Sequence, residues 1–407
     1  MNAAGIDVSK GKSMIAVSRP LGEVVSKPFE VHHTGSELRK LADYLKSLDG
    51  ETRVVMEHTG RYYEPIAQYL HSAGLYVSAV NPKLIKDYGN NSLRKVKTDK
   101  ADAVKISRYG LDSWSELPEY TPMDTIRSQL KTLNRQFELY TKMKTSLKNN
   151  LISLLDQTYP GVDALFDSPV RKNGSQKWVD FAASFWHVDC VRKTSLAAFT
   201  ERYRKWCKRH GYNFQSAKVK EIYTQAQDIY VFVPKDALHK LMIRQAIDQL
   251  NTMSATVERI RTEMQELAQQ LPEYPVVISM YGVGDTLGPQ LMAEIGDVRR
   301  FARMNSLTAY AGVDPGANQS GTYEAKSSKS SKRGSPQLRR ALFLVVSAIL
   351  QNSPPDEPVY RFMDKKRTEG KPYLVYMTAG ANKFLRIYYG RVNEYLSELE
   401  NSGNILP

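Results

Sequence analysis

Four acidic residues fall in an order that could do metal-dependent chemistry: Asp7, Glu57, Asp99 and Asp102. Asp7 sits in the short apolar run Gly5-Ile6-Asp7-Val8-Ser9-Lys10, and Glu57 ends Arg53-Val54-Val55-Met56-Glu57 before His58-Thr59-Gly60. Both acids belong to runs that read as buried strands, where a carboxylate without a partner is costly. Asp99 and Asp102 lie in Lys97-Thr98-Asp99-Lys100-Ala101-Asp102-Ala103, which opens a helical pattern. Three residues apart on a helix, their carboxylates share one face. Two strand-end acids facing two helix-face acids make an oxygen-only site suited to Mg²⁺ or Mn²⁺. Sites of this kind clamp phosphodiester oxygens.

The elements that must position these acids follow from periodicity. Strands are predicted over Ala4–Val8, Ser13–Ser18, Glu23–Glu30, Arg53–Glu57 and Tyr76–Val80, and helices over Ser36–Leu48, Tyr63–Ser72 and Asp99–Tyr109. Three successive strands followed by helix–strand units suggest a mixed α/β sheet with helices on its faces, as in the ribonuclease H-like fold. The first Asp then sits on the first strand and the last two acids on the final helix.

From Asp124 the pattern becomes helical. Ile126, Leu130, Leu133, Phe137, Tyr140, Leu147, Leu151 and Leu154 follow four- and three-residue steps until Tyr159-Pro160-Gly161 stops the helix. A second such run holds Ile243, Ile247, Leu250, Val257, Ile260, Met264, Leu267 and Leu271 and ends at Pro272. The two could pair as an antiparallel hairpin, pack within a bundle, or form a coiled coil with another subunit. Between them Trp178, Trp186 and Trp206 with Phe181, Phe185 and Phe199 supply a small helical core. The segment Arg202–Lys220 is strongly basic, with Tyr203, Trp206, Tyr212 and Phe214 interleaved. That pattern suits backbone contact with base stacking, and equally a solvated helix face over a small core.

The third region begins at Pro275. Ile278 to Asp297 reads as helix, Gly-x-Gly hairpin at Gly282 and Gly284, then helix. The glycines let backbone amides approach a phosphate, although a tight turn between two helices with no ligand fits too. A polar loop follows, and Lys326, Lys329, Lys332 and Arg333 would make it a phosphate clamp, with Arg339 in the helix that closes it. Composition alone describes a solvated loop. The predicted division is therefore 1–115, an α/β acid-bearing domain; 116–274, a helical region with an inserted segment at 160–240; and 275–407, mainly α.

With 57 Lys and Arg against 43 Asp and Glu among 407 residues, the formal charge is +14, which favours a polyanionic partner such as nucleic acid. The apolar share of 42% is ordinary for a soluble protein. Only Cys190 and Cys207 occur, with no zinc-like spacing, so disulfides and structural zinc are not expected. No apolar run approaches the ~20 residues of a bilayer span, and no signal-peptide core is expected at the N-terminus. The expectation is a soluble protein of a reducing, cytoplasmic compartment, associated with the nucleoid and not with a membrane.

Together these segments resemble one family, the DEDD-type transposases of bacterial insertion sequences. This is the "one-ten" insertion-sequence family, which includes pilin-gene invertases. Gly-Ile-Asp-Val-Ser-Lys, Met56-Glu57-His58-Thr59-Gly60 and Thr98-Asp99-Lys100-Ala101-Asp102-Ala103 match its Holliday-junction-resolvase-like (RuvC-like) N-terminal domain. Tyr281–Gly296, Tyr310–Pro315, Ser320-Gly321 and the Gly334 to Arg339 helix start match its C-terminal transposase domain. The resemblance implies a metal-binding tetrad of Asp7, Glu57, Asp99 and Asp102, and a nucleophilic Ser320 that becomes covalently joined to DNA. It also implies a structured guide RNA encoded by the element, and a homo-oligomer, dimer to tetramer, whose active site combines the acids of one subunit with the serine of another. A serine hydroxyl needs activation, and Ser320 has no His-Asp pair nearby in sequence. No Gly-x-x-x-x-Gly-Lys-Ser/Thr loop is present, which suits rejoining without ATP.

Three rival readings follow from the same residues. A metal-dependent nuclease or junction resolvase would use the acids to activate water and would not need Ser320. A sugar-kinase or actin-type ATPase would explain Gly-Ile-Asp-Val-Ser, yet the second strand lacks the Gly-rich phosphate loop that reading needs. A non-catalytic nucleic-acid-binding protein would leave Asp7 and Glu57 in apolar strands without a reason.

Overall fold

The computed structural model describes residues 1–402 apart from 59, 61, 89–97, 315–318, 321–322 and 325–329, and the backbone alone of 319, 320, 323 and 324. It divides into two compact units, Met1–Met123 and Asp124–Pro407.

In the first unit, strands β1 (Asn2–Val8), β2 (Lys12–Ser18), β3 (Val24–His32), β4 (Thr52–Glu57) and β5 (Tyr76–Val80) form one sheet in the order β3-β2-β1-β4-β5. The first three are antiparallel neighbours, with Ile6 opposite Ile15. β1–β4 and β4–β5 are parallel, with Ile6 opposite Met56 and Glu57 opposite Val80. Helices α1 (Gly35–Lys46) and α2 (Tyr63–Ser72) cover one face, burying Leu38, Leu41, Leu45, Ile66 and Leu70 against Ile6, Ile15 and Met56. Helices α3 (Pro82–Tyr88) and α4 (Asp99–Asp112) cover the other, where Val55, Val80, Ile85 and Ile106 meet. Because neighbouring strand residues point to opposite faces, the central strands β1 and β4 are apolar on both sides, and the mixed sheet has the predicted ribonuclease H-like arrangement.

The second unit is built on two long helices, α5 (Thr125–Thr158) and α10 (Ala237–Gln269), which pack on one another. They run antiparallel: Lys144 Nζ lies 3.8 Å from Glu258, and Arg127 near the start of α5 pairs with Glu273 just beyond α10. Of the alternatives that the heptad-like spacing leaves open, the structure has them paired within the chain. The helices α6 (Lys177–Ser184), α7 (Asp189–Arg192), α8 (Leu196–His210) and α9 (Ser216–Asp228) form an inserted lobe. Its aromatic core closes on Leu151 and Leu155 of α5 and on Ile243 and Leu250 of α10. Tyr203 and Trp206 lie inside that core and are 1% and 4% exposed, so neither is free to stack on a base. Hydrophobic periodicity on α8 decided in favour of packing, while its lysines and arginines stay outside.

The other end of the α5–α10 pair is packed by α11 (Tyr274–Ile278), α12 (Leu287–Ile295), α13 (Met304–Ala311), α14 (Pro336–Asn352), α15 (Pro358–Thr368) and α16 (Tyr373–Asn401). Between α13 and α14, Gln319–Ser320 (β6) and Tyr323–Glu324 (β7) form a short antiparallel ladder. Among the described residues no helix is long and apolar enough to cross a membrane.

Candidate active site

Ile6 of β1 and Met56 of β4 are register partners buried on the α1/α2 face. The next residues, Asp7 and Glu57, therefore both turn to the opposite face, where α4 lies. The approach of α4 depends on Gly5. A Cβ there would stand 2.3 Å from both Ala103 O and Ser107 N, so only a glycine lets the helix backbone rest on β1. The same close approach recurs at Gly110, whose Cβ would meet Val55 Cγ2 at 2.7 Å, and Ser18 Oγ and Ser107 Oγ meet at 2.8 Å. Small residues at 103, 107 and 110, one helical face, carry this contact. They were a signal in the sequence that periodicity of large apolar residues does not detect.

Upstream of that contact, Thr98 caps the helix: its Oγ1 accepts from Ala101 N at 3.2 Å. Asp99 and Asp102 occupy the first turn of α4, where the helix dipole favours negative charge. Their carboxylates act on Asp7. Burial, then Asp102, then Asp99 push the Asp7 carboxyl up from 3.8 to about 6. Glu57 is raised by burial, then by Asp7 and Asp102, with Lys105 acting in the opposite direction. Lys105, two turns into α4, was not singled out by sequence reasoning and is the cation that Glu57 feels. The four acids thus share one electrostatic environment. Among the described residues no three His, Cys, Asp or Glu side chains stand close enough together to hold an ion, so the acids repel one another without closing to coordination distance. An oxygen-only donor set with raised carboxyl groups suits a hard divalent cation, which would relieve that repulsion.

The second unit holds the other predicted residues. The backbone of Ser320 pairs with that of Tyr323 in the β6–β7 ladder. Lys326 and Lys329 lie outside the described residues. Lys332 and Arg333 are exposed on the segment returning to α14. The loop has a tied neck: Lys332 N donates to Gly312 O at 3.1 Å, Ser331 N to Asp314 O at 3.0 Å and Ser335 N to Tyr310 O at 2.7 Å. Gly334 permits this, since a Cβ there would lie 1.9 Å from Tyr310 O.

Arg339 belongs to the neck as well. Its Nη1 donates to Ala311 O at 3.0 Å and Gly334 O at 3.3 Å, so its guanidinium holds the two strands of chain together. Sequence reasoning missed Glu294 beneath it. That carboxylate is 1% exposed and accepts from Asn134 Nδ2 at 2.7 Å, Arg135 Nη2 at 2.9 Å and Ser335 Oγ at 3.2 Å. Gly282 has a packing reason, because a Cβ would lie 2.7 Å from Ile349 Cγ1, whereas at Gly284 it would meet nothing within 4 Å.

Comparison with known proteins gives this geometry a family. A DEDD-type transposase profile matches residues 4–160, and a profile described as transposase IS116/IS110/IS902 family matches residues 274–361. The chain belongs to the IS110 family of insertion-sequence transposases. It is 21% identical to an insertion element IS110 43.6 kDa protein of Streptomyces coelicolor, over 96% of this chain and 93% of that one. It is 23% identical to the pilin gene-inverting protein of Moraxella bovis, over 84% and 80% of the two chains. It is 24% identical to a mini-circle putative transposase for IS117 of Streptomyces coelicolor, over 87% and 88%. Among solved structures, Thermus thermophilus RuvC in complex with a Holliday junction substrate matches 28% of this chain and 96% of its own, at 14% identity and a TM-score of 0.23. As an IS110-family transposase the protein cleaves and rejoins DNA, and its +14 charge suits that partner.

Proposed function

We propose that this transposase recombines insertion-sequence DNA through a covalent phosphoserine–DNA intermediate, with Ser320 as nucleophile and Asp7, Glu57, Asp99 and Asp102 as the metal-holding acids. The observation that carries the reading is the gathering of Asp7 and Glu57 under the first turn of α4, with Asp7 raised to about 6 by burial and by Asp102 and Asp99. Bound there, Mg²⁺ or Mn²⁺ would supply Lewis-acid polarisation of the scissile phosphate. The protein's own residues do the rest. Ser320 Oγ attacks phosphorus and loses its proton, one phosphodiester P–O bond breaks, and the released strand leaves as an alcohol. Rejoining reverses these steps, with a DNA hydroxyl attacking the phosphoserine, so bond energy is conserved. Lys326, Lys329, Lys332 and Arg333 balance charge on the phosphate, while Arg339 and the neck set where the serine loop leaves the body of its unit. Gly284, which has open space where a Cβ would project, offers backbone contact to a phosphate.

The functional division proposed is 1–115 for the acids, 116–274 for the helical region and 275–407 for the serine loop. A guide RNA encoded by the element, and a multimer that brings acids and serine together from different subunits, enter this proposal on the family resemblance.

The test incubates full-length protein, labelled element-end DNA, the flanking noncoding RNA and Mg²⁺, quenches with denaturant and compares Ser320→Ala. A protein–DNA adduct present in the parent and lost in the variant supports the proposal. Cleavage with no adduct, unchanged in Ser320→Ala, would replace it with a hydrolytic nuclease that uses water.

A further inference from the structure

The inserted lobe gathers cations where its core has no need of them. Lys177 Nζ lies 4.8 Å from the centroid of the Phe166 ring and 5.1 Å from that of Tyr212. Arg171 covers the same Tyr212 ring at 4.0 Å, and Lys218 faces the same Phe166 ring at 5.8 Å. Three cations thus share two half-buried rings, and mutual repulsion opposes that arrangement. Burial lowers the pKa of the Lys177 ammonium, Cys207 acts in the opposite direction, and Lys218 and Arg171 lower it further. Of the two nearby carboxylates, Asp180 is engaged elsewhere and Glu221 pairs with Lys218 alone. Asp180 accepts from Tyr212 Oη at 2.5 Å with His210 Nδ1 at 3.8 Å, and Glu221 pairs with Lys218 at 2.6 Å in a half-exposed i,i+3 contact. Arg171 spends one nitrogen on the carbonyls of His210 and Gly211, at 2.8 and 3.4 Å, which fixes it in place.

Two helices also begin here. Lys177 is the first residue of α6, and Lys218 lies in the first turn of α9. Neither helix has a side-chain cap: Gln176 and Gln215 precede them, and neither side chain accepts a hydrogen bond from its own helix terminus. Gln176 Oε1 instead accepts from Trp178 Nε1 at 3.0 Å. Two helix starts without side-chain caps, beside three converging cations, form an environment suited to an anion. Rigid cations on aromatic platforms lose little freedom when they bind.

We infer that Arg171, Lys177 and Lys218 form a phosphate-binding site for a nucleic-acid backbone on the inserted lobe, separate in sequence from both the acids and the serine loop. Its two rings, Phe166 and Tyr212, are covered by the cations, so the site offers phosphate contact and not base stacking. It holds a strand by its phosphates. The inference stands independently of the roles proposed for Asp7 and Ser320.

The test needs no variant at first. Full-length protein is labelled with a lysine-reactive reagent, alone and with random-sequence duplex DNA or single-stranded RNA, and labelling at Lys177 and Lys218 is read by mass spectrometry. The expected result is at least several-fold protection of both lysines by one of the two polymers, and the polymer that protects identifies the source of the phosphate. A combined Arg171→Gln, Lys177→Gln, Lys218→Gln variant should then bind that polymer roughly tenfold more weakly, with a salt slope shallower by about 1 to 3. Lys205, Lys235 and Lys240, exposed cations of the same unit, changed together to Gln serve as the control. No protection by either polymer would overturn the inference, and so would a control triple that loses as much affinity as the cluster triple.

Discussion

Burial and the carboxylates of Asp102 and Asp99 keep the proton on Asp7 up to about pH 6, against 3.8 for an unperturbed side chain. The folded protein therefore holds a proton that the unfolded chain has already released. Stability conferred by this group falls as pH rises from near 4 to near 6 and stays low above that. Glu57 shifts in the same direction. Without a divalent cation, the first unit should melt higher at pH 5 than at pH 7. Added Mg²⁺ should raise the midpoint at pH 7.5 more than at pH 5.5, because binding requires ionised carboxylates. Asp7→Asn should raise the metal-free stability by about 1 kcal/mol, once solvent screening is allowed for, and abolish strand exchange. A metal-free melt that drops in Asp7→Asn would show that the carboxylate is not under the strain described. The acids themselves were legible in the sequence, because an acid inside an apolar strand run is costly unless something uses it. Lys105 and Glu294 were not: each is a charged residue on a helix, indistinguishable by type from a solvated one until its neighbours are known.

At the scale of elements, the position of the tetrad depends on how closely α4 lies on β1. Gly5→Ala would place a Cβ 2.3 Å from backbone atoms of Ala103 and Ser107, which cannot yield as a side-chain tip would. The helix must lift, at about 3 kcal/mol, and carry Asp99 and Asp102 away from Asp7. Loss of the Mg²⁺-dependent rise in melting temperature, in a variant still folded by circular dichroism, is the expected outcome; a full Mg²⁺ response would separate helix packing from the acid site. The positions of the strands and the two long helices were legible, since alternation and four-three spacing are local patterns. The partner of each long helix was not, because the same apolar stripe serves a hairpin, a bundle or a second subunit. Nor was the role of Arg339, since a guanidinium beside a basic loop has the same sequence signature whether it meets phosphate or, as here, the carbonyls of Ala311 and Gly334.

At the scale of the whole molecule, the two units have separate cores, and only the first carries the acids. Calorimetry of the full chain should resolve two transitions, of which Mg²⁺ shifts one, and Asp7→Asn should remove that shift while leaving the other in place. A single transition that moves as a whole would show the units to be energetically inseparable. The pairing of α5 with α10 has a consequence for how the chain is made. The partner of Leu130 and Phe137 on α10 includes Val257 and Met264, and the core of the lobe needs Leu151 and Leu155 from one helix and Ile243 and Leu250 from the other. During synthesis at roughly 5–20 residues per second, α5 leaves the ribosome many seconds before α10 can cover it. The first unit has by then all of its strands and can fold, while a long apolar stripe waits beside it. The nascent transposase is thus most exposed to chaperones, and to mispairing with a neighbouring copy, in the interval when only half of its central hairpin exists.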